Sequence, residues 1–126
     1  MTKLVKPTES ELDILTILWE KERATVKEVH EIMLSHKKIG YTTTLKLMQI
    51  MNEKGLVVRD IQSKKHIYTP LIKKDKLQAL YLSKMIQTLF GGSSTELVLQ
   101  AIEKYPHTEK DLISIASLVK QLQKNN

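Results

Sequence analysis

The chain contains no cysteine, which excludes disulfide bonds, thiolate metal sites and thiol nucleophiles. Aromatic residues make up 5% of its 126 residues, and it has four glycines and three prolines. This composition favours helices over a β-sandwich or β-barrel. No apolar run approaches the roughly 20 residues of a membrane-spanning helix, and the N-terminus has no apolar signal core. We therefore expect a cytoplasmic protein without membrane insertion.

Positive charge is concentrated in one part of the chain. The formal net charge is +6, from 20 basic and 14 acidic residues. Residues 36–76 contain ten basic and three acidic residues, whereas the segments before and after them are close to balance. A local basic excess on an otherwise balanced chain indicates contact with a polyanion, and a solvated lysine-rich surface is the alternative.

Two helices are predicted at the start of the chain by their capping residues. Thr8 with Glu11, and Thr25 with Glu28, have the spacing of capping boxes, in which each residue caps the backbone of the other. Apolar residues follow both boxes at three- and four-residue steps. The sequence therefore predicts two short amphipathic helices that follow each other closely.

A third helix and a hairpin are predicted next. The hydroxyl-rich segment Tyr41–Thr44 is suited to a helix start, and Gly55 is suited to a left-handed helix terminus. The β-branched segments Leu56–Arg59 and His66–Thr69 then predict two strands, joined by a turn at Gln62–Lys65.

Three helices followed by a hairpin is the order of a winged helix-turn-helix, in which the third helix enters the major groove of DNA. If Thr44 faces the core, the opposite face presents lysine, glutamine and threonine, which can pair with guanine, adenine and phosphate or thymine. The basic hairpin turn suits phosphate contacts, and Lys37 and Lys38 are expected to extend the footprint. The predicted DNA-binding residues are Thr25, Thr42, Thr43, Lys46, Gln49, Arg59, Lys64 and Lys65, and an ordinary solvated surface is the alternative.

The last third of the chain predicts three further amphipathic helices, which have too few partners for a core of their own. Because DNA readers of this type commonly bind two half-sites as dimers, we predict that these helices pack against a second copy. Folding back onto the first domain is the alternative. The predicted domains are a winged-helix DNA-binding domain, residues 1–72, and a helical dimerisation region, residues 73–126. The predicted dimerisation residues are Leu77, Leu80, Tyr81, Leu97, Val98, Leu112, Ile115, Val119 and Leu122.

An enzyme is not expected, because an active site needs a nucleophile, paired carboxylates or a metal. The four histidines are scattered through the chain, and no two have metal-ligand spacing. We therefore predict no catalytic residues, no metal and no cofactor. Two alternatives stay open: a ligand-responsive winged-helix regulator of another family, and a winged-helix module that binds proteins without binding DNA.

Six short motifs occur in a specific order and spacing: Leu18-Trp19, Thr25–Val29, Tyr41–Thr43, Lys54–Leu56, Tyr68–Pro70 and Phe90–Ser93. In this order they resemble the BlaI/MecI family of penicillinase repressors, from about Pro7 to Leu122. The chain departs from the family pattern at Thr44, where an aliphatic residue is usual.

This resemblance implies a bacterial homodimer that binds palindromic operators and represses transcription. It also implies release by proteolysis in the dimerisation region, through a protease linked to a membrane sensor. The bond would map to Gln100–Ala101, where the well-known resistance repressors have Asn-Phe. The partners implied are therefore double-stranded operator DNA, a second copy of the chain and a sensor-linked protease.

Overall fold

The computed structural model describes residues 6–62 and 64–126, and within them it is mostly helical with one small antiparallel sheet. This confirms the predicted fold class, mainly helical with a small β-hairpin wing. The elements are α1 (Glu9–Lys21), β1 (Ala24–Thr25), α2 (Val26–Leu34), α3 (Tyr41–Glu53), β2 (Val57–Gln62), β3 (Lys65–Pro70), α4 (Lys74–Thr88), α5 (Ser94–Lys104) and α6 (Glu109–Lys124).

The chain forms two compact units, Met1–Ala79 and Leu80–Asn126. The division falls inside α4, a few residues after the boundary predicted at residues 72 and 73. That boundary stays a prediction, and residues 1–5 of its first domain lie outside the described part of the chain. The helices α1 to α3 and the sheet belong to the first unit.

Both predicted capping boxes are present, and they explain where α1 and α2 begin. The Thr8 side chain accepts a hydrogen bond from the Glu11 amide at 3.2 Å, and Glu11 accepts one from the Thr8 amide at 2.8 Å. Thr25 and Glu28 make the same reciprocal pair at the start of α2. Backbone donors that a helix start would leave unpaired are satisfied in each case.

The sheet has three strands in the order β1-β3-β2, so the predicted two-stranded hairpin was incomplete. The short strand β1 pairs antiparallel with β3, with Ala24 opposite Tyr68 and Thr25 opposite Ile67. Two residues are too few to show the alternation that predicts a strand. Of the predicted hairpin turn, Ser63 lies outside the described residues, and Lys64 has the left-handed φ of 65°.

The core of the first unit is formed by one face of each helix and the inner side of the sheet. Its fully buried large side chains include Ile14, Leu15, Leu18, Val29, Met33, Met48, Met51, Leu56, Val57 and Tyr68. Trp19 adds a link outside the apolar core, because its indole Nε1 donates to the Ile72 carbonyl at 2.9 Å. The segment after the wing is therefore held against α1.

One buried ion pair joins α1 to the end of α3. Glu11 is 1% exposed, and its two carboxylate oxygens lie 2.8 and 3.0 Å from Lys54 Nζ. Burial alone would raise the pKa of Glu11, but hydrogen bonds from Lys54 and the Thr8 amide, with the Lys54 charge, outweigh it and lower that pKa below 4.5. The folded protein therefore holds Glu11 as a carboxylate.

Acid should weaken the fold through Glu11. Because its pKa is lower in the folded chain, its contribution to the free energy of unfolding is complete above pH 4.5 and is lost as the pH falls through the folded pKa. We expect Glu11→Gln to destabilise the protein by about 1–3 kcal/mol near neutral pH and by less in acid. Urea denaturation across this pH range measures both, and a difference between the proteins that stays constant with pH would contradict the assignment.

Candidate nucleic-acid interface

The helix α3 has one buried side and one polar side, as predicted. Thr44, Met48 and Met51 are completely buried. The opposite stripe presents Thr42, Lys46 and Gln49, and these three side chains are exposed. Since they recur at three- and four-residue steps, they lie on one helical face. Thr43 is also exposed, at the margin of this stripe.

An acidic residue limits this polar stripe. Glu53 is exposed and follows Gln49 by four residues, so it lies on the same face one turn further on. A carboxylate there would repel the phosphates of a nucleic acid. The part of α3 suited to contact DNA is therefore its first two to three turns, which hold all four of its predicted DNA-binding residues.

The buried hydroxyl of Thr44 is paired with α2. Its Oγ1 lies 3.0 Å from His30 Nδ1 and 3.4 Å from the Gly40 carbonyl. The His30 ring also meets the Tyr41 ring edge-on, with 5.4 Å between their centres. If the Thr44 hydroxyl donates its hydrogen to the Gly40 carbonyl, its oxygen accepts a hydrogen bond from His30 in the tautomer that carries the ring hydrogen on Nδ1. Because the threonine has a polar partner, its hydroxyl is not left without a hydrogen bond in this buried site.

The start of α3 differs from the prediction. The N-cap is Gly40 and makes no side-chain hydrogen bond, so the hydroxyls of Tyr41–Thr44 do not cap the helix. The N-caps of α1, α2, α5 and α6 each accept a bond with their side chain. At the start of α3, by contrast, Thr42 and Thr43 are exposed on the helix surface, and their hydroxyls do not cap the backbone of the first turn.

A cleft of about 350 Å³ brings the wing turn together with the starts of α2 and α3. Its lining residues are Thr25, Val26, Lys27, Tyr41, Leu45, Lys64, Lys65 and His66. Three of the eight predicted DNA-binding residues, Thr25, Lys64 and Lys65, meet here. Lys27 and Tyr41 were not predicted at this site, because only the fold brings them beside the wing, whereas His66 follows Lys65 in the wing itself.

The lysine side chains of this cleft favour an anion. Three lysines line it, whereas the nearby carboxylate of Glu28 is bound to the helix start. Hydrogen bonds from Thr25, with smaller contributions from Lys21 and Lys65, lower the pKa of Glu28, so this group stays ionised. Thr25 is already engaged with Glu28 through its side chain and amide. Because these groups of Thr25 are used within the protein, only the position of Thr25 in the cleft supports its predicted role in DNA binding.

The wing is attached to α3 by a side-chain hydrogen bond. The Asn52 side chain accepts from the Arg59 amide at 3.2 Å, on the edge of β2 that does not face β3. The Arg59 side chain is exposed. Lys37, expected to extend the footprint, instead contacts α1, since its Nζ lies 3.1 Å from Ser10 Oγ and 3.6 Å from Asp13 Oδ2.

The predicted dimerisation residues fall into two groups. Leu77 is 3% exposed in the core of the first unit, so it is already covered within one chain. Tyr81 is half-buried, and burial raises its pKa. The others lie in the second unit, Leu80 on α4 and the rest on α5 and α6, two helices in which the structure shows no buried residue, and most of their side chains are exposed. Further exposed apolar residues there were not predicted: Leu82, Met85, Leu89, Leu99, Tyr105, Ile113 and Leu118.

Neither a metal-binding cluster nor a membrane-spanning helix occurs among the described residues. No group of three or more histidine, aspartate or glutamate side chains there is arranged to hold a metal ion. Every helix within residues 6–62 and 64–126 falls short of the length and apolar character needed to cross a membrane.

Sequence comparison relates the chain to known repressors. The model of a family described as penicillinase repressor matches residues 7–121. The transcriptional regulator BlaI of Mycobacterium tuberculosis is 28% identical over 115 residues, which are 90% of this chain and 83% of that protein. The penicillinase repressor of Staphylococcus aureus is 20% identical over 122 residues, 97% of each chain.

Two solved structures have the same fold as part of this chain. The DNA-binding domain of the repressor BlaI matches with a TM-score of 0.53 and 19% identity, covering 59% of this chain and 90% of that one. The monomeric form of Bacillus licheniformis BlaI, solved with the blaP half-operator, matches with a TM-score of 0.52 and 19% identity, covering 60% and 92%. At this identity the likeness concerns the fold.

The polar stripe of α3 should determine sequence preference. We expect Lys46→Ala and Gln49→Ala each to weaken binding to the preferred DNA by about 1–3 kcal/mol, since each removes a donor suited to a base edge. Binding to scrambled DNA should change little, because phosphate contacts dominate it. Gel-shift titrations on both DNAs measure the two effects. Equal losses on both would remove these side chains from base recognition.

Proposed function

The chain belongs to the penicillinase repressor family, and from this premise we propose that it is a sequence-specific DNA-binding repressor of transcription that acts as a homodimer on palindromic operators. The family is not enzymatic. In this proposal α3 reads the bases of each half-site in the major groove, and the wing turn contacts the phosphates beside it.

One observation supports DNA binding most directly: the cationic cleft lies beside the exposed polar stripe of α3. The first turn of α3 contributes Tyr41 to the cleft and Thr42 to the stripe. A phosphate bound by the wing turn would therefore place the backbone of DNA next to the residues that read its bases. Supporting this, a solved relative with the same fold was studied as a monomer with a half-operator.

Exposed apolar surface supports the homodimer. The helices α5 and α6 have no buried residue in the described chain, although each has an apolar stripe. Along α6 the stripe runs through Leu112, Ile115, Val119 and Leu122, and Leu122 is 55% exposed. Apolar patches of this kind mark interaction sites. A second copy covers the same stripe on both chains, and it places two reading helices on two half-sites.

Proteolytic release is a further part of the proposal. The Gln100–Ala101 bond lies inside α5, where Gln100 accepts a hydrogen bond from Lys104 Nζ at 3.2 Å. His107 Nε2 lies 3.0 Å from the Ala101 carbonyl, in the last turn of the helix. A protease needs an extended segment, so cleavage would require this turn to unfold locally. Cutting there would separate α6 from the rest of the dimerisation region.

Two lysines on the apolar stripe of α6 should separate the dimer. We expect Leu112→Lys with Val119→Lys to give monomers in sedimentation, because buried like charges would oppose pairing. The matched control, Ser117→Lys with Gln121→Lys, adds the same charge on the polar face and should leave the dimer intact.

The same variants test repression. On DNA with two half-sites, the Leu112→Lys, Val119→Lys protein should bind about 10²–10⁴-fold more weakly and fail to block transcription in vitro, since linked half-sites raise the effective concentration. On a single half-site it should bind like the unchanged protein, which shows that its first unit is folded. A variant that stays dimeric would contradict the proposed interface, and a dimer that leaves transcription unchanged would contradict repression.

A further inference from the structure

Two lysines flank α3 in the sequence, and both contact the start of α1. Lys37 precedes α3 in the loop that follows α2, and Lys54 is the C-cap of α3. The groups that receive them, on Ser10, Glu11 and Asp13, lie within four residues of each other. One short segment of α1 therefore contacts the chain at both ends of the helix proposed to read DNA.

The contact at the carboxyl end is nearly buried. Lys54 Nζ reaches both oxygens of Glu11, and the side chain of Lys54 is 26% exposed. A buried carboxylate that lost this partner would be an uncompensated charge, which is strongly unfavourable. The position of the last turn of α3 is therefore tied to α1. That turn also bonds to the next segment, since the Leu56 amide donates to the Met51 carbonyl at 3.0 Å.

The contact at the amino end is more open. The side chains of Lys37 and Asp13 are 38% and 41% exposed, and their 3.6 Å separation makes this the weaker pair. The hydrogen bond from Lys37 Nζ to Ser10 Oγ, at 3.1 Å, fixes the lysine more closely. It restrains the loop that leads into Gly40 and α3.

We infer that the start of α1, residues 10–13, is a positioning element for DNA recognition: Glu11 holds Lys54, and Ser10 with Asp13 hold Lys37, so that α3 is fixed at both ends. Both lysines then serve contacts within the first unit and not contacts with DNA. Two of the ten basic residues in segment 36–76 are thereby neutralised within the protein. Only the predicted effects of this positioning on DNA binding rest on the proposed function.

Glu11 has two roles, and two variants separate them. Glu11→Gln keeps an oxygen for the Thr8 amide, since glutamine also serves in a capping box, but removes the charge that binds Lys54. Thr8→Ala removes the threonine side of the capping box and leaves the ion pair in place. If Glu11 positions α3 through Lys54, only Glu11→Gln should disturb α3. Lys54→Arg, which keeps the cation, should behave like the unchanged protein.

Hydrogen exchange of the protein without DNA tests whether Glu11 positions the end of α3. In Glu11→Gln the amides of Lys54, Gly55 and Leu56, which close the last turn of α3, should exchange about tenfold faster. Amides in the middle of α2 report general unfolding, and they should speed up only as far as the loss in the free energy of unfolding, measured by urea denaturation, requires. In Thr8→Ala the faster exchange should be confined to the start of α1. Equal rates at Lys54 to Leu56 in all proteins would overturn the inference, whether or not the protein binds DNA.

DNA binding tests whether the positioning of α3 by Glu11 affects sequence recognition. Glu11→Gln should weaken binding to the upstream DNA of its own gene about tenfold, as expected for one misaligned base contact, and should leave binding to scrambled DNA unchanged. Parallel losses on the two DNAs would reduce Glu11 to a stabilising residue and overturn the positioning role. If the unchanged protein shows no preference for either DNA, the proposed function fails. The exchange rates then still decide whether Glu11 positions the end of α3.

The salt dependence of binding shows which lysines contact phosphate. For Lys64→Gln in the wing turn, the slope of log affinity against log salt should fall by about 0.9, because one phosphate contact is lost. For Lys37→Gln and Lys54→Gln the slope should stay the same. Lys37→Gln breaks only the exposed pair, so it folds even if the Lys54 variant does not. A slope reduced by Lys37→Gln would place that lysine on DNA and overturn its assignment to α1.

Discussion

A carboxylate enclosed in the protein has to be matched by a cation and by hydrogen-bond donors. In this chain the requirement falls on Glu11, which caps α1 and binds Lys54 at the end of α3. Other features depend on this contact. The wing follows directly from the α3 terminus at Gly55, and the Asn52 side chain joins the same part of α3 to the wing through the Arg59 amide. The proposed DNA-reading helix and wing are therefore oriented from one point on α1.

Local features of the fold were predictable from the sequence, and distant contacts were not. The Thr8 and Thr25 caps and the left-handed Gly55 follow from residues a few positions apart, and all three are present. The strand β1 was missed because two residues have no periodicity, and its partner β3 lies about forty residues away. The pairing of Glu11 with Lys54 spans a similar distance. Charge counting located the basic segment but could not show which of its lysines are already paired.

The two units differ in how they use apolar residues. In the first unit they fill a core around Leu18, Met48 and Tyr68. In the second unit, by contrast, α5 and α6 leave theirs accessible. A single chain thus holds a complete candidate reading surface, while the proposed dimerisation region leaves the apolar stripes of α5 and α6 accessible. If a second copy covers these stripes, operator affinity depends on protein concentration and on the integrity of α5 and α6. Cleavage within α5 would then act on affinity without altering the reading surface.

The central claim is that the cleft and the polar stripe together recognise a particular DNA sequence. A gel-shift titration on the DNA upstream of its own gene, compared with scrambled DNA of equal length at two salt concentrations, tests it most directly. The account predicts tighter binding to the upstream DNA at both concentrations, with affinity for either DNA falling steeply as salt rises. Weak binding without preference, or binding that does not change with salt, would contradict it.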